Sequence, residues 1–98
     1  MKPAGEAQAG DARWSVYIIR CDDGSLYTGV TTDVERRLKE HAGASRGARY
    51  FNGRAPEAVA FREDGHTRSS AHRREAEIKR LTRRQKLELI RRGAERRI

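Results

Sequence analysis

The chain has 98 residues, of which 36% are hydrophobic and 37% charged, so a single domain with a small core is expected. Its formal charge of +8, from 22 Lys and Arg against 14 Asp and Glu, favours a polyanionic partner, with nucleic acid first and an anionic membrane second. One cysteine, Cys21, excludes an internal disulfide framework and a cysteine-built zinc site, and no apolar run of about 18 residues exists to span a membrane.

Residues 1–12 are rich in Ala, Gly and polar residues without periodicity and read as a disordered tail. Their lack of an apolar central stretch argues against a secretory signal. WSVYIIRC (14–21) is β-branched and aromatic and reads as a strand; SLYTGV (25–30) reads as a second. Asp22-Asp23-Gly24 between them is a three-residue hairpin loop, with Gly where the left-handed conformation is needed. If Cys21 faces Ser25, then Tyr17 faces Gly29 and Tyr27 faces Ile19. Cross-strand partners share a face and side chains alternate along a strand, so Tyr17 and Tyr27 fall on one face. A two-residue loop would send them to opposite faces.

A capping box, Thr32-Asp33-Val34-Glu35, opens a helix that runs to about Ala42 and ends at Gly43. At about 100° per residue, Arg37 and His41 flank the apolar stripe of Val34 and Leu38, while Arg36 faces solvent. Arg37 and His41 are also i and i+4 neighbours. Residues 43–56 form a basic loop in which Arg46, Arg49, Tyr50 and Arg54 are candidates for gripping a nucleic-acid backbone or stacking on a base. A weak third strand over 58–61 is punctuated by Asp64-Gly65. A second helix starts near Ser69 or Ser70, and Ala71, Glu75 and Ile78 form its i, i+4, i+7 stripe. Glu75 is thus a carboxylate inside an apolar stripe, whereas Glu77 lies off it. A second capping box, Thr82-Arg83-Arg84-Gln85, starts a third helix that carries Leu87 and Ile90 inward, and the last residues are expected to fray. The domain is expected over 13–92, with 93–98 as a frayed tail, and the element order ββαβαα places the chain in the α+β class.

The polar residues that lean inward are Tyr17, Tyr27, Arg37, His41 and Glu75. Singly, each has an ordinary explanation: a strand tyrosine with its hydroxyl at the rim, a solvated helix edge, a boundary carboxylate. Together they suit phosphodiester hydrolysis. A carboxylate can hold Mg²⁺ by one oxygen with waters in the remaining positions. Arginine offers a planar fork to phosphate oxygens. Histidine passes protons near neutral pH, and a tyrosine hydroxyl with a lowered pKa can receive one from water.

Ser15-Val16-Tyr17, Tyr27-Thr28-Gly29, the Arg37-x-x-x-His41 helix and Glu75 in AHRREAEIK resemble the GIY-YIG endonuclease superfamily, in particular its small stand-alone bacterial members. The resemblance covers roughly residues 14–90 and extends to GARYFNGRAP before the third strand. It departs from the family pattern at Ser15, Val16 and Thr28, which are backbone or packing positions. It implies a small three-stranded antiparallel sheet flanked by helices and one divalent ion, Mg²⁺ or Mn²⁺, on Glu75. It further implies that Tyr17 or Tyr27 activates water, directly or through His41, and that Arg37 stabilises the scissile phosphate. The activity it implies is a Mg-dependent DNA endonuclease, structure-selective with weak sequence specificity, in DNA repair or processing in the bacterial cytoplasm and nucleoid. RNA as a substrate and a protein partner for targeting stay open; a membrane partner and a nucleotide cofactor are not expected. The alternative is a non-catalytic nucleic-acid-binding module or a subunit of a larger nuclease complex.

Overall fold

A tight hairpin opens the fold. β1 (Trp14–Cys21) and β2 (Leu26–Thr31) run antiparallel and are joined by a loop in which Gly24 adopts φ +87°. The Gly24 N–H donates to the Cys21 carbonyl at 2.9 Å, and the Cys21 N–H donates to the Ser25 carbonyl at 2.9 Å. Asp23 braces the turn, its Oδ1 accepting from the Ser25 N–H at 2.9 Å. Cys21 and Ser25 therefore close the loop as the spacing predicts, and the register follows: Tyr17 lies opposite Gly29 and Ile19 opposite Tyr27. The computed structural model describes residues 12–43 and 55–96, without the side chains of 41–43, 95 and 96.

β3 (Pro56–His66) pairs with β1 on its other side, giving the sheet order β2-β1-β3. It is longer than the four residues the sequence suggested. Asp64-Gly65 does not end it, because pairing continues to Glu63 opposite Val16 and His66 opposite Trp14, with Gly65 absorbing the irregularity at φ +80°. The register also slips between Ile18, opposite Phe61, and Ile19, opposite Val59, so Ala60 is an extra residue. Without that bulge Val59 and Phe61 would share a face. With it they part to opposite faces, and each supplies a different core.

Those cores lie on the two sides of the sheet. On one, Val16, Ile18 and Phe61 pack with Ala71 and Ile78 of α2 (Arg68–Lys79) and with Leu89 and Ile90 of α3 (Arg83–Arg96). On the other, Tyr17, Ile19 and Cys21 pack with Val34 and Leu38 of α1 (Val34–Gly43), joined by Tyr27 and Val59. The result is an α+β fold with a three-stranded antiparallel sheet between helices.

The helix starts differ in detail from the sequence pattern. α1 is capped by Asp33 rather than Thr32: Asp33 Oδ1 accepts from the Arg36 N–H at 3.0 Å, and Glu35 reaches Arg62 instead of folding back. α2 starts one to two residues early on the capping box of Thr67 and Ser70, whose side chains each accept a backbone N–H at 3.0 Å. The Thr82–Gln85 box forms as expected, at 2.9 and 3.2 Å. Leu87 does not point inward. It is 44% exposed; Ile90 packs inward as expected, and Leu89 rather than Leu87 joins it. α3 also continues through Arg96, past the point where fraying was expected.

Candidate active site

The site is built on the α1 side of the sheet. Tyr17 and Tyr27 point to the same face, their ring centroids 6.3 Å apart and tilted by 43°. Gly29 makes this possible. A Cβ there would stand 2.5 Å from Tyr17 Oη and 3.2 Å from Tyr27 Cε2, so the third residue of the YTG motif is glycine for lack of room, not for φ. The two tyrosines differ in exposure. Tyr17 is 1% exposed and Tyr27 is half-buried.

Tyr17 Oη is buried and, among the described residues, no group meets hydrogen-bond geometry with it. Burial pushes its pKa above the ordinary tyrosine value; Arg37 pulls against that shift, while the negative charges of Tyr27 and Glu75 add to it. Arg37 responds in turn: proximity to Tyr17 raises its pKa, against the opposing effect of burial. The guanidinium thus lies close enough to act on the hydroxyl without closing a hydrogen bond, while its Nη1 donates to Glu40 Oε1 at 3.2 Å. A buried polar atom left without a partner is uncommon in a folded core and asks for an explanation.

Arg37 is the half-buried arginine of its pair, and Arg36 faces solvent, as the helix angles predict. Glu75 comes from α2, on the opposite layer. Its side chain is 19% exposed between the buried Ala71 and Ile78, so the carboxylate does sit in the apolar stripe. It forms an ion pair with Lys79 Nζ at 3.2 Å and lies 3.5 Å from His72 Nδ1. Glu77, by contrast, is 60% exposed. His41 is in the last turn of α1, four residues after Arg37, with its side chain outside the described residues. Arg46, Arg49, Tyr50 and Arg54 lie wholly outside them.

No group of three His, Cys, Asp or Glu able to cage a metal exists among the described residues. Glu75 alone suits a hard cation that keeps most of its waters and takes one protein carboxylate plus substrate phosphate oxygens, the usual habit of Mg²⁺. Lys79 would have to release the carboxylate first.

The motif departures acquire reasons. Val16 is fully buried in the core beneath α2 and α3. Ser15 Oγ donates to Asp64 Oδ1 at 2.6 Å, and Arg62 bridges that same oxygen at 2.8 Å to Glu35 Oε2 at 2.7 Å. This chain ties β1 and β3 to the first turn of α1, and so sets where Arg37 stands. Thr28 Oγ1 is a second buried oxygen without a hydrogen-bond partner among the described residues. The sequence reading missed the Ser15–Asp64–Arg62–Glu35 brace because it ended the third strand at residue 61. Alternation continued through Arg62 and Asp64 would have revealed it.

A second polar cluster lies at the junction of β3 and α2. Glu63 accepts from Arg74 Nε at 3.1 Å, and its Oε1 is 2.7 Å from His66 Nε2. Burial would raise its pKa, yet the bonds and charges of His66 and Arg74 hold the carboxyl below its ordinary value.

The model of the GIY-YIG catalytic domain matches residues 13–88. The UPF0213 protein DP2720 of Desulfotalea psychrophila is 46% identical over 77 residues, covering 79% of this chain and 70% of that protein. The UPF0213 protein HQ_3675A of Haloquadratum walsbyi is 51% identical, covering 82% of this chain and 89% of that one. The solution NMR structure of UPF0213 protein BH0048 from Bacillus halodurans is similar at 45% identity and a TM-score of 0.50, over 79% of this chain and 81% of that one.

Proposed function

Because the chain belongs to the GIY-YIG catalytic-domain family, whose membership implies nuclease chemistry, we propose that it is a Mg²⁺- or Mn²⁺-dependent endonuclease that hydrolyses DNA phosphodiester bonds. It acts at structured sites such as flaps and branches with weak sequence preference, in repair or processing of DNA. The observation that carries this reading is Tyr17: a buried hydroxyl without a hydrogen-bond partner among the described residues, beside the tilted ring of Tyr27 over Gly29 and acted on by both Arg37 and Glu75. Core packing alone would be served better by phenylalanine.

The roles follow from position. A base must be reachable by water, and Tyr27 is the half-buried member of the pair. It takes the proton of the attacking water as it passes its own proton to His41, while the water oxygen bonds to phosphorus, the bond to the leaving sugar oxygen breaks, and that oxygen takes a proton from solvent. Arg37 presents its fork to the phosphate oxygens that gain charge. Tyr17 holds Tyr27 and Arg37 at a fixed spacing. Glu75 would hold the divalent ion, which supplies Lewis-acid neutralisation of the phosphate when bound.

One observation favours the second reading, a binding module that does not cut: the Glu75 carboxylate is engaged by Lys79. A cleavage panel separates the two. Purified protein is offered flapped, branched and linear DNA and matched RNA, with Mg²⁺, Mn²⁺ or EDTA. Metal-dependent cutting of the structured DNA, lost in Glu75→Gln and Arg37→Ala, is expected. Binding without cutting under every metal condition would replace the nuclease with the binding module.

A further inference from the structure

Among the described residues, Arg20, Arg62, Arg74, Arg91 and Arg92 each hold a carboxylate within 3.3 Å. The turn between α2 and α3 gathers arginines that hold none. No acidic residue occurs between Glu77 and Glu88. In that interval Arg80, Arg83, Arg84 and Lys86 have no carboxylate partner among the described residues, and the three arginines are exposed. Ion pairing within the described fold does not account for them. Arg83 and Arg84 stand in the first turn of α3, which has no acidic residue, and cations there oppose the helix macrodipole. Concentrated like charge without counter-charge is the footprint of a polyanion.

The turn is also tied to the catalytic sheet. Arg83 Nη1 donates to the Gly24 carbonyl at 2.8 Å, fixing α3 to the tip of the β1–β2 hairpin. Tyr17 lies four residues before Cys21 on β1. Tyr27 lies three residues after Gly24, opposite Ile19, so both tyrosines stand on strands that end at the tip to which the turn is fixed.

We propose that the α2–α3 turn, through Arg80 and Arg84, is a second nucleic-acid contact that grips the phosphate backbone of a duplex arm away from the bond that is cut. This rests on nucleic acid being the substrate. It assigns affinity to the turn and chemistry to the tyrosine face. Substrates whose arm is too short to reach the turn bind weakly, even with the scissile structure intact.

The test is equilibrium binding of the full chain to a labelled flapped duplex in EDTA, across a salt series, so that no cleavage is needed. The variant R80Q/R84Q is compared with R91Q/R92Q, which removes the same charge from arginines already held by Glu88. Arg83 is spared because of its bond to Gly24. Loss of two phosphate contacts lowers the slope of log K against log salt by about 1.8 and weakens binding on the order of 10- to 100-fold at 0.1 M salt. R91Q/R92Q is expected to change the slope by much less, and trimming the arm should weaken wild type but not R80Q/R84Q. Thermal melts confirm that both variants fold. Equal loss in the two variants, or no loss in R80Q/R84Q, overturns the proposal, as does a failure of wild type to bind nucleic acid or a loss confined to anionic vesicles. If wild type binds as described but never cuts, the nuclease reading fails and the turn survives.

Discussion

Replacing Tyr17 by phenylalanine removes one oxygen and leaves the ring in place, so the outcome depends on what that oxygen does in the fold. It is buried, and among the described residues no group meets hydrogen-bond geometry with it. A buried polar group left unsatisfied costs about 1–3 kcal/mol relative to its hydrated state. Arg37 is not orphaned by the change, because its Nη1 keeps Glu40 at 3.2 Å. Tyr17→Phe should therefore stabilise the domain by about 1 kcal/mol or more, which for a chain of this size raises Tm by about 4–8 °C per kcal/mol. Nuclease activity should fall in the same variant, since Tyr27 and Arg37 lose the polar neighbour between them. Tyr27→Phe, at a half-buried position, is the comparison and should lack the gain. Denaturant titration with an unchanged m-value would measure the difference cleanly. A loss of 1 kcal/mol or more in Tyr17→Phe would mean that the hydroxyl is bonded in the native state, and the reasoning from an unpartnered oxygen would be wrong.

Gly29→Ala should be destabilising by about 1–3 kcal/mol, because the new methyl would sit 2.5 Å from Tyr17 Oη and must displace a fully packed ring; thermal melts of Gly29→Ala alone and combined with Tyr17→Phe would read it, and the second change should relieve part of the first. Lys79→Met frees Glu75 from its cation, so the metal concentration for half-maximal cleavage, or for binding by calorimetry, should drop severalfold. A rise would show that Lys79 assists metal binding. Glu63 titrates below its ordinary 4.5 in the folded chain, despite burial, through His66 and Arg74. The stability it contributes is therefore complete above about pH 4.5 and is lost as pH falls from there through the lower folded value. Melts of wild type and Glu63→Gln should converge on acidification across that window, and parallel curves would refute the assignment.

The sequence by itself determined what depends on short-range geometry. A three-residue loop with Gly24 at its end fixes the hairpin register, and the register fixes that Tyr17 and Tyr27 share a face. The 3.6-residue period fixes that Arg37, not Arg36, turns inward, and that Glu75 rather than Glu77 lies between Ala71 and Ile78. These follow because each involves residues a few bonds or one turn apart. The third strand was legible only in part. Its length and its bulge at Ala60 come from pairing with β1, whose residues lie about forty positions away by number, and nothing local in EDGH signals a strand. The same holds for the brace from Ser15 through Asp64 and Arg62 to Glu35, and for Leu89 packing in place of Leu87. Tertiary structure alone decided that Tyr17 would be sealed while Tyr27 stays half-open, since burial is a property of what α1 and the sheet lay over each ring. It also decided which cations are left over. Composition gives the net charge, but only the fold reveals that, among the described residues, Arg80, Arg83 and Arg84 at the α2–α3 turn stand together without a carboxylate partner.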